Sequence, residues 1–233
     1  MSPDRAKANA AAAALDFIED GMTVGLGTGS TAKFFVEMLA EEVADGMVVR
    51  GVPTSEQTRQ LAENHGIPLL PVERVERIEV TVDGADEVDG LGRLIKGGGA
   101  ALLREKIIAN ASDHMVVIAD PSKQVETLGA FPLPVEVTPF GFTITAKKVH
   151  DALEESGIVR PTVKLRRITG HNDPIITDGG NFILDCHCGS VPNPEQLSVL
   201  LANIPGVVEH GLFINLARTV IIGNDEGAAV FEF

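Results

Sequence analysis

Apolar residues along the chain fall into two alternating patterns. Short continuous runs read as buried strands, and runs with apolar residues three and four apart read as helices. Residues 4–19 are alanine-rich with Leu15 and Ile18 three apart, which predicts a helix. Met22–Leu26 predicts a strand, 32–44 a helix facing inward through Phe35, Val36 and Leu39, and Met47–Val52 a second strand. Ser55 is placed to cap a helix over 56–64 that ends near Gly66. Ile67–Val72 carries Pro68 and Pro71, so an edge or irregular strand is expected. Ile78–Val82 is a further buried strand. A mostly apolar helix follows a glycine run, with Glu105 expected in its second turn, and His114–Ala119 is the next strand. Strands alternating with helices imply an α/β fold: a doubly wound, mostly parallel, Rossmann-like sheet.

The pattern changes after about Phe131. The run FPLPVEV is proline-punctuated and VTPFG follows it. An amphipathic helix over 143–156 is closed by Gly157. Strands are expected at Val163–Ile168 and, after the Asp178-Gly179-Gly180 turn, at Phe182–Cys188. Asn193-Pro194 opens a helix over 195–203, and strand-like pieces at Val207–Ile214 and Thr219–Ile222 finish the chain. This predicts an α/β catalytic domain over 1–130 plus 209–233 and a smaller α+β subdomain over 131–208, with the last strands returning to the first sheet.

Composition narrows the function. The 233 residues are 44% hydrophobic, enough for a large core and too many for general disorder. A net charge of −14, with no Trp or Tyr, opposes nucleic-acid binding and anionic membranes. An anionic substrate would therefore need local positive potential. The N-terminus mixes charges into its alanine-rich helix without a signal-peptide core, and no apolar run reaches membrane-spanning length, so a cytoplasmic protein is expected. Two cysteines make no disulfide framework. In Cys186-His187-Cys188 the cysteines share one strand face and His187 takes the other, with no second pair to complete a zinc site; buried thiols and no metal are expected.

Chemistry-bearing residues cluster at the expected carboxyl ends of strands, where ligands sit in such sheets. Gly27-Thr28-Gly29-Ser30-Thr31 follows the first strand and opens a helix, the arrangement that binds phosphate through backbone N–H groups. The loose dinucleotide spacing Gly27-x-Gly29-x-x-Ala32 lacks the acid that would hold a ribose after the next strand, which ends in Pro53-Thr54-Ser55. Asp83 and Asp86 of DGAD end another strand. Lys96 leads Gly97-Gly98-Gly99 into the helix that bears Glu105, and Lys123 lies beyond the strand ending at Ala119. Each piece also has a plainer reading: DGAD as a solvated turn, KGGG as a flexible loop, the 27–31 run as a cap, and Lys7 as a solvated charge. No nucleophile elbow, His-Glu-x-x-His or Walker lysine is present.

The motifs GLGTGST, TVDGADE, IKGGGAALLREKII, IADPSKQV, FPLPVEV, DGGNFILD and IPGVVEHGLF, in this order, resemble the type A ribose-5-phosphate isomerases over nearly the whole chain. The resemblance implies interconversion of D-ribose 5-phosphate and D-ribulose 5-phosphate without metal or cofactor, in a homodimer or homotetramer with the smaller domain at the interface. It implies Glu105 as base, substrate contacts from Thr28, Gly29, Ser30 and Thr31, from Asp83, Gly84, Ala85 and Asp86, from Lys96, Gly97, Gly98 and Gly99, and from Lys123. Lys7 would stand near the phosphate. Pro139–Ile144 departs from the commoner family form, and Gly170–Pro174 is longer than in compact members.

The residues fit that chemistry unaided. One carboxylate within reach of C1 and C2 moves the proton, Lys96 and glycine amides receive the enediolate charge, and Asp83 or Asp86 serves ring opening and the O1/O2 proton shift. The alternatives are a non-catalytic sugar-phosphate sensor, against which Glu105 with both aspartates speaks, and a nucleotide-dependent oxidoreductase, weakened by the missing ribose acid.

Overall fold

The computed structural model describes residues 3–233. In chain order its elements are α1 (Pro3–Leu15), β1 (Thr23–Leu26), α2 (Ser30–Ala44), β2 (Arg50–Pro53), α3 (Glu56–Asn64), β3 (Ile78–Gly84), β4 (Glu87–Val88), β5 (Leu94–Ile95), α4 (Leu102–Ala111), β6 (Ser112–Ala119), β7 (Leu133–Val137), α5 (Phe142–Glu155), β8 (Thr162–Leu165), β9 (Phe182–His187), α6 (Pro194–Ala202), β10 (Val207–His210), β11 (Leu212–Phe213), β12 (Ala217–Gly223) and β13 (Ala228–Glu232). No described helix is long and apolar enough to cross a membrane.

The chain divides into two compact units. Of the described residues, the first holds 3–85, 104–124 and 215–233; the second holds 86–103 and 125–214. Residues 86–103, grouped with the α/β domain on sequence grounds, cluster with the second unit because β5 pairs with β4 and with β11.

The first unit is built on a six-stranded sheet ordered β13-β12-β6-β3-β1-β2. Its four pairings from β12 to β2 are all parallel, and β13 closes the edge antiparallel to β12. Alternation along β1 explains why helices cover both faces. Val24 and Leu26 enter the core formed with Ala10, Ala14, Phe35 and Leu39 of α1 and α2. Gly25 between them points the other way: a Cβ there would lie 2.8 Å from Ile108 Cγ2 of α4. The missing side chain lets α4 approach the sheet. Ser55 caps α3 as expected, its hydroxyl accepting from Thr58 N.

The second unit carries a four-stranded antiparallel sheet, β10-β7-β9-β8, and the small sheet β11-β5-β4. Its core joins Leu133, Val135 and Val137 of β7 to Val149 and Leu153 of α5 and Leu197 and Leu201 of α6.

Two local expectations are corrected, and one run given no element on sequence grounds proves to be a strand. Ile67–Val72 forms one bridge, Gly51 to Leu69, instead of a strand, since Pro68 and Pro71 remove ladder donors. The proline-rich FPLPVEV run holds a fully buried strand, β7. Glu105 stands in the first turn of α4, because the helix begins only at Leu102.

Candidate active site

In the first unit, the turn after β1 is shaped by close approach. A Cβ on Gly27 would lie 2.5 Å from Asp83 Cα, so only glycine lets the turn cross the end of β3. Thr28 N then donates to Asp83 Oδ1 at 3.0 Å, and Gly84 N donates to the same oxygen at 2.7 Å. These bonds fix the wholly buried Asp83 carboxylate in one orientation.

The Thr28 hydroxyl has a role not anticipated from the sequence. It donates to Ser55 Oγ at 2.8 Å and also lies 2.8 Å from Thr54 Oγ1 and 3.1 Å from Thr58 Oγ1. Thr54 and Thr58 in turn donate to the carbonyls of Leu26 and Gly27 at 3.0 and 2.9 Å. This buried hydroxyl cluster braces the turn from behind. The signal for it was the PTSEQT segment, read only as lacking a ribose-binding acid and supplying a helix cap.

Gly29, at φ +111°, admits the chain to α2, and Ser30 and Thr31 form its first turn. Thr31 is buried and Ser30 is exposed. Ser30 lines a cleft of about 330 Å³ together with Lys7, Asp120, Ser122 and Lys123. The two lysines thus meet a helix N-terminus, a combination that favours an anion despite the acidic chain. Asp120 is occupied in capping the following turn, accepting from Ser122 N at 2.9 Å. Glu105 belongs to this unit too, with 4% of its surface exposed.

In the second unit, Asp86 and the KGGG loop form a second group. Asp86 N donates to Ile95 O at 2.9 Å, and Gly98 N donates to Asp86 Oδ2 at 2.7 Å. A Cβ on Gly98 would sit 2.6 Å from Asp86 Oδ1, so any larger residue there would displace the carboxylate from the loop. Gly97, at φ +106°, and Ala100, at φ +59°, turn the chain into α4. Lys96 is 2% exposed, and its Nζ lies 5.5 Å from the Phe213 ring centroid.

The backbone of Lys96 is fixed by a consequence of Pro134. Gly211 N donates to Pro134 O at 2.8 Å, but proline has no N–H to return. Lys96 N donates to Gly211 O instead, also at 2.8 Å. A Cβ on Gly211 would fall 2.2 Å from Lys96 O, so glycine is required at this crossing. Cys186 and Cys188 are buried free thiols; burial pushes both up, Cys188 to about 12 with the Glu87 charge adding to it.

The family model for ribose 5-phosphate isomerase A (phosphoriboisomerase A) matches residues 50–227. A ribose-5-phosphate isomerase A from Maricaulis maris is 59% identical over 232 residues, covering all of both chains. A solved D-ribose-5-phosphate isomerase in complex with phospho-erythronic acid is 41% identical with a TM-score of 0.91, over all of both chains. The ribose 5-phosphate isomerase A from Methanocaldococcus jannaschii superposes with a TM-score of 0.90 at 35% identity, again end to end. Likeness of sequence and fold along the whole chain, together with the family model's match, establishes that this enzyme belongs to the ribose 5-phosphate isomerase A family.

Proposed function

We propose that the chain interconverts D-ribose 5-phosphate and D-ribulose 5-phosphate by proton transfer through an enediolate, with Glu105 as the base. The observation that carries this reading is a nearly buried carboxylate in the first turn of α4, six residues after the last residue of the Gly97–Gly98–Gly99 run. Glu105 takes the proton from C2 of the open-chain aldose and returns it to C1. Lys96 and the glycine amides receive the charge that develops on oxygen. Asp83 or Asp86 carries the hydroxyl protons during ring opening and the O1/O2 shift. Phospho-erythronic acid, named with the solved relative, is a phosphorylated acid whose carboxylate has the planarity and charge of an enediolate, and it should compete with ribose 5-phosphate here.

Isotope tracing tests the mechanism. Ribose 5-phosphate deuterated at C2 is expected to release label to water during turnover. Full retention of deuterium in the ketose product would mean hydride shift, and the reading would fall.

The phosphate is assigned to the cleft of Lys7, Ser30 and Lys123. A charged hydrogen bond contributes about 1.5–3 kcal/mol, so Lys7→Ala or Lys123→Ala should raise KM roughly ten- to a hundredfold with turnover little changed. Unphosphorylated ribose should bind equally poorly to parent and variants. Equal losses for both sugars in a direct binding assay would move the phosphate elsewhere.

A further inference from the structure

Arg166 follows β8 and bears on the KGGG loop. Its Nη1 donates to Gly97 O at 2.8 Å and to Gly98 O at 3.0 Å. The rest of its guanidinium is held by Asp185 of β9: Nε lies 3.1 Å from Oδ1 and 3.0 Å from Oδ2, and Nη2 donates to Oδ1 as well. Asp185 pairs with Lys164 in the ladder, so Arg166 and Asp185 are diagonal neighbours across two strands. The Arg166 backbone is also fixed, donating to Ile183 O at 2.8 Å and accepting from Ile175 N at 3.0 Å. Rigid strands therefore hold the fork, and the fork holds two consecutive carbonyls.

That grip dictates where the amides point. In a trans peptide the C=O and the following N–H are antiparallel, and no described peptide here is cis. Fixing Gly97 O on Arg166 sends Gly98 N–H to the opposite side, where it meets Asp86. Fixing Gly98 O likewise sends Gly99 N–H away from Arg166. The Gly98 N–H is thereby committed to Asp86, and the Gly99 N–H is turned to the same side of the loop, where a backbone donor stabilises developing negative charge. A run of three glycines cannot hold such an arrangement by its own torsional preferences.

We infer that Arg166, clamped by Asp185, is a positioning residue for the isomerisation: it orients the KGGG loop so that the Gly98 amide holds the Asp86 carboxylate and the Gly99 amide receives the enediolate charge. The inference rests on the role proposed above for the KGGG loop. Lysine is the informative replacement. Arg166→Lys keeps the charge opposite Asp185 and so protects the fold, but one ammonium cannot span two carbonyls and a carboxylate as the planar fork does.

Turnover per folded chain is expected to fall roughly tenfold or more in Arg166→Lys, with KM nearly unchanged, because misdirected donors cost transition-state stabilisation. In Arg166→Ala, millimolar guanidinium should restore part of the lost turnover while leaving the parent unaffected. A merely structural residue would lower the melting temperature without this rescue. Arg166→Lys turning over at the parental rate, or folded Arg166→Ala that is slow and indifferent to guanidinium, would overturn the inference. Washout of C2 deuterium separates it from the reading beneath: full retention of label in the parent overturns the enediolate reading itself, whereas washout in the parent beside a fast Arg166→Lys overturns the role of Arg166 alone.

Discussion

Glu105→Gln is expected to lower turnover roughly a hundred- to ten-thousand-fold, the usual worth of a general base. Glutamine keeps the length and hydrogen-bonding capacity of the side chain but cannot accept the C2 proton. Affinity should barely change, because the phosphate contacts assigned to Lys7, Ser30 and Lys123 are untouched. Folding should survive, since a nearly buried carboxylate is exchanged for a neutral amide of the same shape. Two measurements check this on the folded variant: steady-state turnover, and washout of C2 deuterium, which should slow in proportion. If turnover stays within about threefold of the parent, far less than a base contributes, Glu105 is not the base and Asp83 or Asp86 takes its place.

The first unit was legible because its signals are local. Five short apolar runs and intervening helices, with glycine at the turn after β1, specify a parallel sheet without long-range information. The loop residues Thr28–Thr31, the aspartates, Lys96 and Glu105 stood out because reactive side chains at strand ends are conspicuous among apolar neighbours. The roles of neighbours were not legible. Arg166 sits in a run of basic and apolar residues, and nothing local distinguishes it from Arg167. Its partners, Gly97 and Gly98, are 69 and 68 residues away. The Thr28 hydroxyl belongs to a residue that the resemblance places among the substrate contacts. Its engagement with Thr54, Ser55 and Thr58 depends on the packing of α3 against the turn. The strand β7 was hidden by its prolines, which argue against an interior strand. Pro134 is tolerated because the carbonyl left without its donor, Gly211 O, is served by Lys96 N from outside the ladder. β13 was missed because all five of its residues are exposed, leaving no inside–outside alternation to read.

That exchange at Pro134 sets up the second large effect, which concerns Lys96. Its backbone is anchored through Gly211 and its side chain is buried beside Phe213, so the ammonium is held in place before substrate arrives. A fixed charge away from bulk water stabilises developing oxygen charge more strongly than a solvated one and needs no reorganisation as the reaction proceeds. Lys96→Met keeps a long, unbranched side chain that packs well against the Phe213 ring, while removing the charge. Turnover should fall about a hundred- to a thousandfold, the measured worth of one donor to an oxyanion. The loss should appear in kcat and kcat/KM alike, as expected when an interaction is made chiefly in the transition state. Arginine at this position should not restore activity, because its wider planar head cannot occupy a site shaped for an ammonium against an aromatic ring. The check is steady-state kinetics on Lys96→Met and Lys96→Arg beside thermal melts of both. A Lys96→Met protein that melts like the parent and loses affinity without losing turnover would assign Lys96 to ground-state binding and leave the enediolate charge to the glycine amides.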